Sequence, residues 1–280
     1  MYSLVFAILA STSLALILKH NEKKEGNTLL LLTGNYLSAS LISLFFLLND
    51  EVIYFSWETV LFGCFLGSLF VYTFFAFARS IRLAGTALST VSSRISVIIP
   101  IILAIVIYDE IPTFTHTTGI AFAFITIFIF YLSLKFKKGK KIKGRDFFSL
   151  IILFLGIGIN DFFLKLFGHW RPPEEKHLFL LCIFGSAFIY TGVMSLMKKG
   201  QFDRPSFARG LGLGVPNVLT SYFLLEALKV LPAFIVFPTM NISIILLTSI
   251  AAWIFWREQL NLYGKVAIAT GIVAIYFISI

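Results

Sequence analysis

Charge is scarce in this chain. Only 13% of its 280 residues are Asp, Glu, Lys or Arg, while 58% are hydrophobic, and the mean hydropathy is +0.92. So few charges cannot cover the surface of a soluble globule of this size. Cysteine is nearly absent too. Cys64 and Cys182 both lie inside apolar runs and read as free packing residues, which excludes a disulfide-stapled scaffold. No spacing of His, Cys, Asp and Glu suits a metal, and no reactive constellation gathers near one end of a run. Neither a cofactor nor enzyme chemistry is expected. Acids are outnumbered by bases, 14 to 23, for a net charge of +9. That balance does not indicate a nucleic-acid partner, because most of the bases sit in short segments between apolar runs, where they orient a membrane protein.

What the chain does have is long apolar runs. A membrane helix needs roughly 20 apolar residues to cross about 30 Å of hydrocarbon. Ten such spans can be read, over 2–18, 28–48, 57–78, 83–108, 114–134, 147–168, 177–197, 210–228, 233–255 and 262–280. The first is expected to be a span and not a cleaved leader, since no basic residue precedes it.

The runs repeat. At an offset of 148, Glu110 falls on Glu258, Leu83 on Leu231 and Ala104 on Ala252. Near the start of each half, ILASTSLALILK ending at Lys19 matches LFLGIGINDFFLK ending at Lys165. The organisation expected is a first five-helix repeat over 1–134, a basic linker over 135–146, and a second repeat over 147–280. Five is odd, so the second repeat must lie upside down relative to the first. The charges agree. Odd-numbered loops hold 17 basic residues, among them Arg79, Arg82, Arg204, Arg209 and Arg257, while even-numbered loops hold only Arg171, Lys176 and Lys229. The positive-inside rule then places the linker in the cytoplasm and both termini outside. The fold class expected is an all-α polytopic membrane protein, with ten transmembrane helices as two inverted five-helix repeats.

Each half closes with a helix, a Glu-containing break and a Gly-bearing last helix. The stretch ALSTVSSRISVIIPIILAIVIYDE (Ala87 to Glu110) and the stretch NYLSAS (Asn35 to Ser40) add to this pattern. Together they resemble the drug/metabolite transporter superfamily with EamA-type domains, over essentially the whole chain. The resemblance implies a secondary active transporter in the cytoplasmic (inner) membrane, working by alternating access on a small-molecule substrate. Family members carry amino acids, nucleotide sugars, drugs and other metabolites, so the substrate stays open. Many bacterial members are held to keep both termini in the cytoplasm, and the charge count here departs from that.

Polar residues inside the spans are the candidates for function, because an ionisable group in hydrocarbon costs about 2.5 kcal/mol or more. Arg94 sits in the string Ser89, Thr90, Ser92, Ser93, Arg94, Ser96, and its repeat counterpart is Ile242. It is expected either to anchor an anionic group, by bidentate bonding to a carboxylate or phosphate, or to form a structural ion pair. Asp161 follows Asn160 and precedes Lys165 by one turn. It is the candidate proton-coupling acid, with a local pair to Lys165 or a bridge to Arg94 as the structural alternatives. Ser93, Asn35, Tyr36, Tyr72, Asn160, Asn217, Tyr222 and Asn241 are candidate substrate-binding residues, with Thr239 a softer one. Glu226 is read as an interfacial pair with Lys229. Glu110 and Glu258 are expected to turn the chain or to cap the helix that follows each. Gly63 with Gly67, and Gly210 with Gly214, should let helices approach closely. Pro100, Pro216 and Pro238 should kink theirs. Trp57, Trp170, Trp253 and Trp256 are read as interfacial anchors.

The site is expected near the midplane, built from spans one, three, four, six, eight and nine, and to take a small polar metabolite, anionic or amino-acid-like. The alternative is a lipid flippase or multidrug exporter on the same scaffold. Expected partners are the substrate and membrane lipid, with the chain as monomer or homodimer.

Overall fold

Apolar runs of this length satisfy their backbone only as helices, and helices are what form. The computed structural model describes residues 2–23, 26–84, 86–135, 144–198, 202–257 and 261–280. Among them the elements are α1 (Tyr2–Lys23), α2 (Thr28–Leu48), α3 (Trp57–Ala84), α4 (Thr86–Ile95), α5 (Ile98–Tyr108), α6 (Phe114–Lys135) and α7 (Gly144–Trp170). After a 3-10 turn (Pro173–Glu175) come α8 (Lys176–Met197), α9 (Arg204–Val230), α10 (Ala233–Trp256) and α11 (Leu262–Ser279). Nine described helical stretches are long and apolar enough to cross a membrane, and Tyr2–Leu18 is a shorter apolar helix. This is the make-up of a multi-pass membrane protein. Glu258 and most of the basic linker lie outside the described residues.

Two boundaries differ from the hydropathy reading, each for a local reason. The fourth span is not one helix. It breaks at Ser96–Val97, between α4 and α5. Pro100 has no N–H to offer Ser96, and the Ser96 carbonyl instead accepts from Ile99 N at 3.0 Å. The eighth span begins at Arg204, six residues before the apolar run, because Asp203 caps it. The Asp203 carboxylate accepts from Ser206 N at 3.2 Å.

The helices gather into two compact units, Met1–Val71 with Leu166–Ala227, and Tyr72–Lys165 with Leu228–Ile280. These units do not coincide with the sequence halves, since each takes helices from both.

In the first unit α2 packs on α8. Thr33 meets Thr191, Tyr36 stacks near Phe184, and Phe46 near His177. One index rises as the other falls, so the two are antiparallel. Glycines bring other pairs together. A Cβ on Gly214 would lie 2.5 Å from Asn35 O, and one on Gly210 would meet Leu31 O. A Cβ on Gly63 would lie 2.6 Å from Cys182 Cβ, and one on Gly67 would meet Ile183 and Ser186. These contacts step in register, so α9 runs parallel to α2, and α3 parallel to α8. The expectation for both glycine pairs holds. The amino ends of α2 and α9 are also tied, because Asn27 N donates to Asp203 Oδ2 (3.1 Å) and Ser206 Oγ (2.8 Å).

In the second unit α6 packs on α11. Thr126 bonds Thr270 at 3.0 Å, Ser133 bonds Asn261 at 2.6 Å, and Gly119 abuts Ile278, again antiparallel. Ala123, Ile242, Leu246, Ala274 and Ile278 form a core between α6, α10 and α11. Two helices of this unit end alike. Asp109 (φ 53°) and Arg257 (φ 51°) both end their helices left-handed. Their amides reach back to Ala104 O and Ala252 O, positions matched at the repeat offset.

Candidate functional site

The polar core of the second unit starts from the break in the fourth span. α4 ends at Ile95, so Arg94 stands in its last turn. Arg94 Nη1 donates to Asn241 Oδ1 at 2.9 Å. Asn241 is held for this, because its Nδ2 donates to Phe237 O at 3.0 Å and so turns Oδ1 toward the guanidinium. Arg94 Nε is buried without a hydrogen-bond partner, and no described residue bonds Nη2. The side-on edge of the guanidinium, Nε with Nη2, is therefore uncommitted. That edge matches two oxygens of a carboxylate or phosphate.

α7 brings Asn160 and Asp161 to the same region. Its glycines allow the approach. A Cβ on Gly158 would lie 2.7 Å from Ser96 O, and one on Gly156 would lie 2.9 Å from Thr73 Oγ1 of α3. Asp161 is one turn beyond Gly158 on α7. Asn160 Oδ1 and Thr73 Oγ1 are buried without partners, as is Thr239 Oγ1 on α10. A buried polar atom without a partner costs about 1–3 kcal/mol. These three and Arg94 Nε all belong to the second unit.

Lys165 does not pair with Asp161, one turn away. It is 8% exposed and bridges to Glu110 at 2.5 Å. Glu110 Oε2 also accepts from Ala233 N at 2.6 Å. Ala233 opens α10, so Glu110 caps that helix and not α6, which follows it in the chain. An acid at a helix amino end is favoured by the helix dipole. Glu226 also takes an ion partner from another helix, Lys176. Helices that neighbour in space supply better geometry than a residue three or four along the same helix.

The remaining candidates fall elsewhere. Ser93 bonds back to Thr90 O at 2.8 Å within α4. Tyr72 is 57% exposed and does not face this core. Asn35, Tyr36, Asn217 and Tyr222 belong to the first unit. Asn217 Nδ2 donates to Asn35 Oδ1 at 3.2 Å, tying α9 to α2. Tyr36 is 5% exposed and stacks near Phe184. Tyr222 lies under Lys176, 4.0 Å from the ring centroid, and stacks on His177 at 5.7 Å. His177 in turn contacts both oxygens of Asp50 at 2.8 Å.

Some residues here had no signal in the sequence. Thr73 is one threonine among many, and only Gly156 opposite it marks the contact. Arg171 looked like a loop charge. It is folded onto Glu175, Ser56 and Thr59, with bonds of 2.7 to 3.1 Å. Its i, i+4 spacing to Glu175 was the available clue.

No family model matches the chain. It is 26% identical to an uncharacterized protein of Haemophilus influenzae, over 99% of this chain and 98% of that one. A solved crystal structure of a protein superposes with a TM-score of 0.81 at 10% identity, over 100% of this chain and 99% of that chain, so the two share a fold.

Proposed function

We propose that the chain is a secondary active transporter of the drug/metabolite type. It moves a small polar metabolite with an anionic group across the cytoplasmic membrane by alternating access. The ten spans form two inverted five-helix repeats. Two features support the inversion. α2 with α8, and α6 with α11, are repeat mates, and each pair is packed and antiparallel, as a two-fold axis in the membrane plane requires. α2 with α9, and α8 with α3, are likewise equivalent pairs, and both run parallel.

The observation that carries the substrate reading is the uncommitted side-on edge of Arg94. Asn241 steadies the guanidinium from one side. A carboxylate or phosphate meets Nε and Nη2 from the other. Asn160 and Thr73 offer further hydrogen bonds to the rest of the solute. Asp161, a carboxylate at span depth on α7, one turn beyond the close approach of Gly158 to Ser96, serves as the proton-coupling acid.

The test is thermal stability of the purified protein against amino acids, nucleotides, sugars, organic acids, cationic drugs and lipids. A ligand at 100 times its Kd stabilises by about 2.7 kcal/mol. An anionic solute is expected to raise the Tm of wild type and not of Arg94→Ala. Shifts with cations or lipids alone overturn the anion reading and favour a flippase or drug exporter.

A further inference from the structure

By shape alone, the open edge of Arg94 admits a carboxylate or a phosphate, because each offers two oxygens to Nε and Nη2. Charge separates them. A carboxylate brings one negative charge, while a phosphate monoester brings about 1.5 to 2 at pH 7. The choice turns on how many negative charges the unit can cancel.

Bases are few there. Among the described residues of the second unit, Arg79, Lys229, Arg257 and Lys265 are exposed and stand toward helix ends. Lys165 is buried, and its ammonium is taken by Glu110. That leaves Arg94, which makes no ion pair with a described residue. Asn241, bonded to its Nη1, is a neutral amide and cancels none of its charge. The acids match the bases. Of the described acids in this unit that are not exposed, Glu110 holds Lys165, and Asp161 makes no ion pair. Two bases and two acids therefore cancel while Arg94 is unoccupied.

We propose that the solute is a short monocarboxylate, and that it loads together with one proton on Asp161. The proposal rests on the anion reading of Arg94 and narrows it to one charge carried by one carboxylate. A monocarboxylate on Arg94 adds one negative charge to the unit. One proton, taken from water by an Asp161 oxygen, removes one. The sum stays at zero, loaded or empty, which suits an interior where an uncancelled charge is strongly disfavoured. A dicarboxylate or a phosphate monoester brings a second negative charge. No second base is placed to meet it, and Glu110 already opposes Lys165. Thr73, Asn160 and Thr239 have buried oxygens without partners. They are neutral, so they suit a hydroxyl or keto group on the solute and cannot cancel a second anion.

The test uses the full chain in lipid nanodiscs at pH 7. The probes are three monocarboxylates (lactate, pyruvate and 3-hydroxybutyrate) and two solutes of higher charge (malate and glycerol 3-phosphate). At least one monocarboxylate is expected to raise the Tm. The apparent Kd for malate and for glycerol 3-phosphate should be weaker by about tenfold or more, the factor that about 1.4 kcal/mol supplies. Arg94→Ala should abolish every shift. In proteoliposomes, uptake of the bound monocarboxylate should follow an inward proton gradient and ignore a potassium diffusion potential, because one proton and one monoanion together carry no net charge. Asp161→Asn, which mimics the protonated acid, should keep the Tm shift and lose the response of uptake to the proton gradient. Binding of malate or glycerol 3-phosphate as tight as that of the monocarboxylates overturns the proposed class, as does the absence of a shift from all three monocarboxylates. Uptake that responds to the potential overturns the pairing of one anion with one proton. The wider stability panel decides separately whether Arg94 binds anions at all: a phosphate that shifts wild type and not Arg94→Ala sinks the monocarboxylate and leaves the anchor standing.

Discussion

The two units treat their buried polar groups in opposite ways. In the first, charges end in bonds. Arg171 is closed by Glu175, Ser56 and Thr59, Lys176 by Glu226 and the Tyr222 ring, and His177 by Asp50. Arg209 Nε is the one buried side-chain atom without a partner among the described residues of that unit. In the second unit Arg94 Nε, Asn160 Oδ1, Thr73 Oγ1 and Thr239 Oγ1 all lack one. Satisfied networks rigidify, while unsatisfied ones are costly and are kept where something else will meet them. The first unit therefore reads as a frame, and the second as the seat of the proposed solute site. The sequence offset of 148 sets a second contrast, inside the second unit itself. The counterpart of Arg94 is Ile242, which is 0% exposed in an apolar core.

Arg171→Met is the harshest test of the frame. It leaves Glu175, with 7% of its side chain exposed, without its cation, and should lower stability by about 3–5 kcal/mol. Chemical denaturation in mild detergent measures it. Arg94→Met should cost less, about 1.5–3 kcal/mol for one charged hydrogen bond, yet abolish every ligand-induced rise in Tm. If Arg94→Met proves as destabilising as Arg171→Met, the contrast between the units collapses and Arg94 is structural.

Gly210→Ala probes helix approach in the first unit. Its Cβ would meet the Leu31 carbonyl, so a loss of about 1–3 kcal/mol is expected. Gly212→Ala, two residues on with nothing within 4 Å, should be neutral or slightly stabilising. Equal effects from the two would refute the close packing of α9 on α2.

The smallest effect belongs to Asp203. The Ser206 hydroxyl, with the amides of Asn27 and Ser206, holds its carboxyl below the usual 3.8. A depressed folded pKa contributes stability above the ordinary value, and that contribution fades as pH falls through the folded one. A shallow fall in Tm on acidification below about pH 4 is expected, and Asp203→Asn should flatten it. A slope unchanged by Asp203→Asn would remove this acid from the account of how α2 and α9 are joined.

Much of the frame was legible before any coordinates. Hydrocarbon thickness sets the length of each apolar run, so the helices could be counted. Glycine spacing marked the close contacts of α9 and α3, because only a missing side chain permits them. The site was legible in part. Arg94, Asp161 and Asn241 stood out as polar groups within spans, and the structure brings all three into one unit. Tyr72 stood out for the same reason and faces outward, since a hydropathy run does not say which face of a helix turns where. The early start of α9 was hidden because its first turn is polar.

By itself the sequence determined a multi-pass helical protein with a duplicated pattern, and which polar residues lie at membrane depth. Both follow from local composition and from spacing along one helix. Only the tertiary structure decided the partners: Lys165 with Glu110 and not Asp161, Glu110 on α10 and not α6, Glu226 with Lys176, Arg94 with Asn241. Those choices join residues 50 to 147 positions apart. No local pattern encodes them, because a buried charge selects the counter-charge that packing places nearest, whichever helix supplies it.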